Sequence, residues 1–358
     1  MKGRTVGPAD PTLAELVPEH RLRRLELTVT RRLDGLLHGQ YRGLLPGAGS
    51  EFSGSREYRP GEDEVRRMDW AVTARTGVPH VREVDADREL STWVLVDATP
   101  SMDFGTAELE KRELAVAAVA AVGFLTAGAG NRLGAYVVGA DGPSRVPART
   151  GRNHLLSLLR SLLAAPRGAT GGRPPPLSES LRLLDRSLSR RGLVVVVSDF
   201  LDGLPDPPPR RSGRSALSRM AFPDVESGPD RVTGSEAPAW ERHLRRLGAR
   251  HQVLAVEVTD PRELELPDVG VITFVDPETG WRREVATGDR RVRERFAAAA
   301  ADQRRLVREA VRRAGATHLT LRTDRDWTAD LARHVLEQRR QARAPRPPVT
   351  STPGGGPR

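Results

Sequence analysis

From Ser91 onward the chain alternates short apolar runs, rich in β-branched residues, with longer segments whose apolar positions recur every three or four residues. The short runs predict strands at Ser91–Val96, Arg132–Val138, Leu193–Ser198, Gln252–Val258 and Thr317–Arg322. The longer segments predict helices at Glu108–Gly128, Asn153–Leu163, Ser178–Leu188, Trp240–Leu247, Arg291–Ala314 and Thr328–Arg343. Strands separated by helices imply an α/β fold with a mainly parallel sheet and right-handed crossovers. Gly270–Asp276 and Trp281–Val285, joined by Pro277-Glu-Thr-Gly280, predict a hairpin added to that sheet. Within the first helix, Leu114 to Gly130 is uncharged but alanine-rich and interrupted by Gly123. It falls short of the roughly 18–20 strongly apolar residues of a membrane span. It reads as a buried helix.

Ahead of Ser91 the pattern is less regular. Thr12–Leu37 predicts a helix, with apolar positions at Leu13, Leu16, Val17, Leu22, Leu25, Val29, Leu33 and Leu36. Pro18 interrupts it, so the regular part starts near Glu19. A glycine-rich stretch follows, then Val65–Arg75 as a short helix leading into a strand at Pro79–Val84. The resulting organisation has a disordered start (1–11), a helix and connecting segment (12–88), an α/β domain (89–343) and a disordered Pro/Gly-rich tail (344–358). Inside the α/β domain, Leu204–Pro238 is crowded with Pro, Ser, Arg and Asp, and is expected to be a mobile insert.

Composition removes several chemistries. The chain has no cysteine, so disulfides, thiolate metal sites and cysteine nucleophiles are excluded. The start lacks the apolar core of a signal peptide, which points to a soluble, cytoplasmic protein. A net charge of +10 invites a nucleic-acid reading, but only Lys2 and Lys111 are lysines. The arginines are scattered, usually beside acids, and aromatics for base stacking are few. Nucleic acid is therefore not expected as the main ligand. The eight histidines form no His-x-x-x-His or His-Glu pair of zinc-site type, and no Gly-Lys-Ser/Thr phosphate loop is present.

The candidate chemistry sits where two strands end. Trp93–Val96 stops at Asp97, followed by Thr99 and Ser101; Leu193–Val197 is followed by Ser198 and Asp199. Ligand crevices of open α/β sheets lie outside the carboxyl ends of their strands, so these side chains converge there. Two carboxylates and two hydroxyls suit magnesium or a similar small divalent ion. Local capping of the strand-end turn is the structural alternative. An enzymatic alternative is a metal-dependent phosphohydrolase with Asp97 as nucleophile. Thr99 stands where its acid/base aspartate belongs, and neither lysine is placed to hold a phosphate, with Lys111 in a helix and Lys2 near the terminus.

Further motifs precede this site: Glu51-Phe52, Arg56-Glu57-Tyr58-Arg59-Pro60-Gly61-Glu62, Arg67-Met68-Asp69-Trp70 and Ala74-Arg75. With Leu95-Val-Asp97 and Ser101-Met102 they closely resemble domain-of-unknown-function family 58, which is related to von Willebrand factor type A domains. The resemblance covers roughly Leu33 to Asp199. It implies a von Willebrand A-like sheet with a metal-ion-dependent adhesion site, whose ligands carry over as Asp97, Thr99, Ser101 and the distal Asp199. It also implies association with an AAA+ ATPase of the MoxR type, as a non-enzymatic adaptor or effector. Many relatives carry transmembrane segments before the signature, and none is evident here. One departure concerns the loop that often resembles Gly-Gly-Thr, whose threonine is a further ligand. It reads Thr170-Gly171-Gly172-Arg173-Pro174, so an arginine stands at the threonine's place and would exclude the ion if it reached inward. In the signature itself, Tyr58 and Trp70 are expected to pack, and Arg59, Arg67, Asp69 and Arg75 to form an ion-pair network. The alternative is a docking surface.

Overall fold

In a computed structural model of the chain, the structure describes residues 52–58, 68–84, 91–107, 109–126, 130–139, 142–168, 174–204, 237–275 and 282–343, with the single positions 23, 27, 28 and 65. The start, most of the expected N-terminal helix, most of the 204–238 insert, the tail, Arg59, Arg67 and the 169–173 loop with Thr170 and Arg173 lie outside the described residues. Two compact units result, one within Glu89–Thr328 and the other within Gly35–Arg88 and Ala329–Arg358.

In the smaller unit, β1 (Phe52–Glu57) and β2 (His80–Val84) pair antiparallel, with α1 (Trp70–Thr76) between them in sequence. Asp69 starts α1 as its N-cap: Oδ1 accepts from the Ala71 and Val72 amides at 3.1 and 3.2 Å. Its Oδ2 accepts from Ser55 Oγ at 3.1 Å, which ties the cap to β1. Gly77 ends the helix at φ 73°, a left-handed turn that glycine adopts without strain. Trp70, expected to pack, is instead 66% exposed. The capping geometry turns Asp69 inward at the helix start, and the residue after it faces outward.

The larger unit runs through β3 (Ser91–Asp97), a 3₁₀ turn (Pro100–Asp103), α2 (Lys111–Thr126), β4 (Arg132–Gly139), β5 (Gly142–Arg149), α3 (Arg152–Leu163), α4 (Leu177–Ser187) and β6 (Leu193–Ser198). It continues with α5 (Glu241–Arg250), β7 (Gln252–Thr259), α6 (Pro261–Leu264), β8 (Val271–Val275), β9 (Arg282–Ala286), α7 (Arg290–Arg313), β10 (Thr317–Arg322) and the first residues of α8 (Trp327–Arg343). Six strands form one sheet in the order β10-β7-β6-β3-β4-β5. All neighbours pair parallel except β5, which runs antiparallel on β4. This is a mainly parallel α/β sheet with one antiparallel edge strand.

β3 and β6 lie at the centre, paired Val94↔Val195 and Val96↔Val197, and their apolar runs are buried on both faces. On one face, Trp93, Leu95, Val194, Val196 and Val253 pack with leucines of α4 and α5 and with Val307 and Val311 of α7. The other face carries α2, buried on nearly all sides, as its uniformly apolar sequence requires. Gly123 admits the Leu155 side chain of α3, because a Cβ there would collide with it.

Two elements depart from the sequence reading. β5 was not foreseen, because Pro143 and Pro147 argue against a strand. It lies at the sheet edge, where missing amide donors are tolerated, and its register shifts opposite Gly134. The β8–β9 hairpin forms as expected but is a separate two-stranded sheet and does not extend the main one. The edge beside β7 is taken by β10, which leaves the hairpin to lean on α7 through Phe274 and Phe296, 6.2 Å apart.

The segment 205–236 begins and ends at adjacent points of the larger unit. The Ala239 amide donates to the Gly203 carbonyl at 3.4 Å. A short Gly/Ser linker in place of residues 205–236 is therefore expected to leave the thermal midpoint nearly unchanged, since loop closure costs only about 0.6 kcal/mol per doubling of length. A calorimetric scan of the deletion checks this; a fall of many degrees would mean that the segment packs on the body.

Candidate functional site

β3 and β6, in parallel register, deliver Asp97 and Ser198-Asp199 to the same end of the sheet. Pro100 opens the 3₁₀ turn after Thr99 and folds Ser101 back, closed by the Met102 amide donating to the Thr99 carbonyl at 2.9 Å. Asp97 Oδ1 accepts from the Thr99 amide at 3.0 Å and from Thr99 Oγ1 at 2.6 Å. Ser101 Oγ lies 3.1 Å from Thr99 Oγ1, and Ser198 Oγ donates to Asp97 Oδ2 at 2.7 Å. Beyond β6, Phe200 adopts φ 56°, a left-handed conformation that is costly for a bulky residue. Its ring is buried edge-on against Trp240, 5.2 Å away, which holds the turn carrying Asp199.

Asp97, Thr99 and Ser101 thus come together as the sequence suggested. Asp199 reaches the same sheet end but has a different partner. Its Oδ2 accepts from Lys111 Nζ at 2.9 Å, and its Oδ1 from the Leu201 amide at 3.2 Å. The Lys111 ammonium also meets Glu263 Oε1 at 2.5 Å. The sequence reading that set Lys111 aside because it lies in a helix is corrected here: it is the first residue of α2, and its side chain points into the site. Thr170 and Arg173 fall outside the described residues.

The charges sort accordingly. Burial pushes the Asp97 carboxyl upward and the nearby Asp199 charge adds to this, against the opposing hydrogen bonds from Thr99 and Ser198. Burial would also raise Asp199, but the Lys111 ammonium overrides it and holds that carboxyl below its ordinary range. Lys111, which burial would lower, is raised by Asp199 and Glu263.

The donor set can be tested against magnesium. Octahedral ligands at 2.0–2.1 Å from the ion stand about 2.9 Å apart at adjacent positions. The Asp97–Thr99 and Thr99–Ser101 separations of 2.6 and 3.1 Å bracket that spacing. This arm fits. Asp199 does so only if its carboxylate leaves Lys111 or acts through water. Among the described residues no group of three His, Cys, Asp or Glu side chains could hold a metal, so an ion here depends on the two hydroxyls.

Two residues missed in the sequence brace this end of the sheet. Arg112 donates to the carbonyls of Ala98, Ala165 and Pro166 at 2.8, 3.1 and 3.0 Å, and its Nε lies 2.6 Å from Asp103 Oδ1. The Gly168 amide donates to Asp103 Oδ2 at 2.9 Å, so one arginine and one aspartate join the strand-end turn to the loop before residue 169. Asp260, just past β7, accepts from Thr106 N and Oγ1, the Arg262 amide and Thr323 Oγ1 at 2.9, 2.6, 2.9 and 2.7 Å. With both carboxylate oxygens each accepting two hydrogen bonds, it is a clamp.

The family model described as Protein of unknown function DUF58 matches residues 54–306. Uncharacterized proteins of Mycobacterium bovis and Mycobacterium tuberculosis are 48% identical over 335 residues, covering 94% of this chain and 92% of theirs. Similar solved structures include the conserved hypothetical protein BatB from Bacteroides thetaiotaomicron, with TM-score 0.36 and 14% identity over 70% of this chain and 99% of that one. Another is a von Willebrand factor type A protein from Catenulispora acidiphila, with TM-score 0.33 and 11% identity over 73% of this chain and 44% of that one. A third is the VWA domain of SpRpn10, with TM-score 0.32 and 10% identity over 68% and 94%. Among the described residues no helix is long and apolar enough to cross a membrane.

Proposed function

The chain belongs to the DUF58 family, and for it we propose a non-enzymatic role: a cytoplasmic adaptor that docks a protein partner at the strand-end site through a bound magnesium ion. The observation that carries this reading is the convergence of Asp97 Oδ1, Thr99 Oγ1 and Ser101 Oγ at magnesium-like spacing. Asp97, Thr99 and Ser101 would hold the ion, with Asp199 as the distal carboxylate. The ion would supply an electrophilic position open to a carboxylate of the partner. By its resemblance to the MoxR-associated family, the partner is an AAA+ ATPase.

A phosphohydrolase built on Asp97 is the weaker reading. Both Asp97 oxygens are occupied by donors from Thr99 and Ser198, so neither is free to attack a phosphorus. The Lys111 ammonium, though close, is taken by Asp199 and Glu263. Magnesium-dependent turnover of a phosphate ester that disappears in Asp97→Asn would reverse this ordering.

Asp97→Asn is the variant of choice for the docking test. Asparagine keeps an acceptor for Thr99 while removing the charge that repels Asp199, so the fold is expected to persist. Affinity capture from native cells should recover an ATPase with the wild type and at least tenfold less with Asp97→Asn, on the scale expected when one charged ligand is lost. Equal recovery would remove the site from the docking reaction.

A further inference from the structure

Lys111 is an expensive residue where it stands. It is fully buried, and it occupies the first position of α2, where the helix dipole disfavours a cation. Nearly all basic residues in the chain are arginines; of 57, only Lys2 and Lys111 are lysines. A lysine supplies a compact point charge where a guanidinium would spread over a wide fork. At this position the charge rests between two acids, Asp199 at 2.9 Å and Glu263 at 2.5 Å. Glu263 in turn lies 3.5 Å from Arg304 Nη2, and Arg304 Nη1 donates to the Asp199 carbonyl at 3.1 Å and to Glu257 at 3.0 Å. The distal carboxylate is thereby held by charges the chain carries itself.

We propose that Lys111 is a resident counter-cation of the strand-end site: by neutralising Asp199 it sets divalent-ion affinity low, so that an ion is retained tightly only when a partner adds its own carboxylate. The inference rests on the docking reading above and concerns how that site is filled. With Asp199 engaged, one charged ligand, Asp97, and two hydroxyls remain for the ion. Such a set attracts a strongly hydrated dication weakly. The nearby ammonium also repels it across a partly dehydrated site, where screening is poor. An acidic side chain from outside restores the missing negative charge, and Glu263 offers the displaced ammonium a place to stay.

The test is calorimetric titration of the full chain with magnesium and with manganese, comparing wild type with Lys111→Gln. The variant should bind either ion about tenfold or more tightly, since a unit charge of the ion's own sign has been removed. Its thermal midpoint should fall in chelator and recover on adding magnesium, which the wild type should not show. The double variant Lys111→Met/Glu263→Gln removes one charge of each sign, and should also bind more tightly than wild type if the single variant fails to fold. Equal or weaker binding in the folded variants, including no binding by any of them, overturns the proposal. Capture with wild type and Asp97→Asn is read separately. Unchanged ion affinity with Asp97-dependent capture removes the role of Lys111 and keeps docking. Raised affinity without such capture does the reverse.

Discussion

Asp260→Ala is expected to destabilise the protein by about 2 kcal/mol, and to lower its thermal midpoint by roughly 4–8 °C. The carboxylate is fully buried and accepts four hydrogen bonds. Alanine removes the acceptor of two threonine hydroxyls and two backbone amides. Thr106 and Arg262 are exposed and can turn to water, whereas the buried Thr323 hydroxyl is left unpaired at a cost of about 1–3 kcal/mol before relaxation. Thr106 lies on the loop that follows the 3₁₀ turn, and Thr323 lies just past β10, so the loss should propagate to both. Asp260→Asn keeps one oxygen acceptor and should lose less. Thermal melts of the two variants check the order. A loss below about 1 kcal/mol for alanine would mean that water replaces the clamp.

Acid should unfold the protein steeply below about pH 4, the ordinary carboxylate range. Four carboxyls that burial alone would raise are held low by their partners: Asp199 by Lys111, Glu257 by His318 and Arg304, Glu241 by Arg313 and Arg245, and Asp260 by Thr106, Arg262 and Thr323. A carboxyl with a depressed folded pKa contributes stability above its unfolded pKa, which is lost as pH falls through the folded one. Because several such groups act together, the unfolded chain takes up several more protons than the folded one. Asp97 has the opposite sign. Its folded pKa is raised, so its contribution is complete below the unfolded pKa and lost as pH rises through the folded value. In chelator, therefore, Asp97→Asn should match or exceed wild type in stability at neutral pH and retain the same acid limb. Melts between about pH 3 and 8 measure both, the range over which ordinary carboxylates and histidines titrate. A wild-type midpoint that stays flat down to pH 3 would contradict the paired-carboxylate account.

The parts of the fold written in local pattern were legible in the sequence, and the parts made by long-range pairing were not. β3 and β6 announce themselves because parallel central strands are apolar without alternation, and Asp97, Thr99 and Ser101 are spaced by a single turn. Lys111 meets Asp199 and Glu263 across 88 and 152 residues, a proximity that no local spacing encodes. Arg112 hid for a related reason: three of its partners are backbone carbonyls, which carry no side-chain signal. β5 was concealed by prolines that an edge tolerates, and Trp70 by the general tendency of aromatics to be buried. Asp260 did carry a signal that went unread. The β7 run Val253–Val258 ends in Thr259-Asp260, in the manner in which β3 and β6 end in Asp97 and Asp199.

The near absence of lysine turns one buried side chain into a reporter. The lysine targets of amine-reactive reagents in this sequence are two, Lys2 and Lys111. They are more than a hundred residues apart, so a peptide map distinguishes them at once. Lys111 is fully buried and its nitrogen is bonded to two acids, so it reacts only when the sheet end opens. Its acylation rate relative to Lys2 is therefore a clock for that opening, readable in whole-cell extracts without an engineered label. Arginine-directed reagents would blur the same measurement over more than fifty sites.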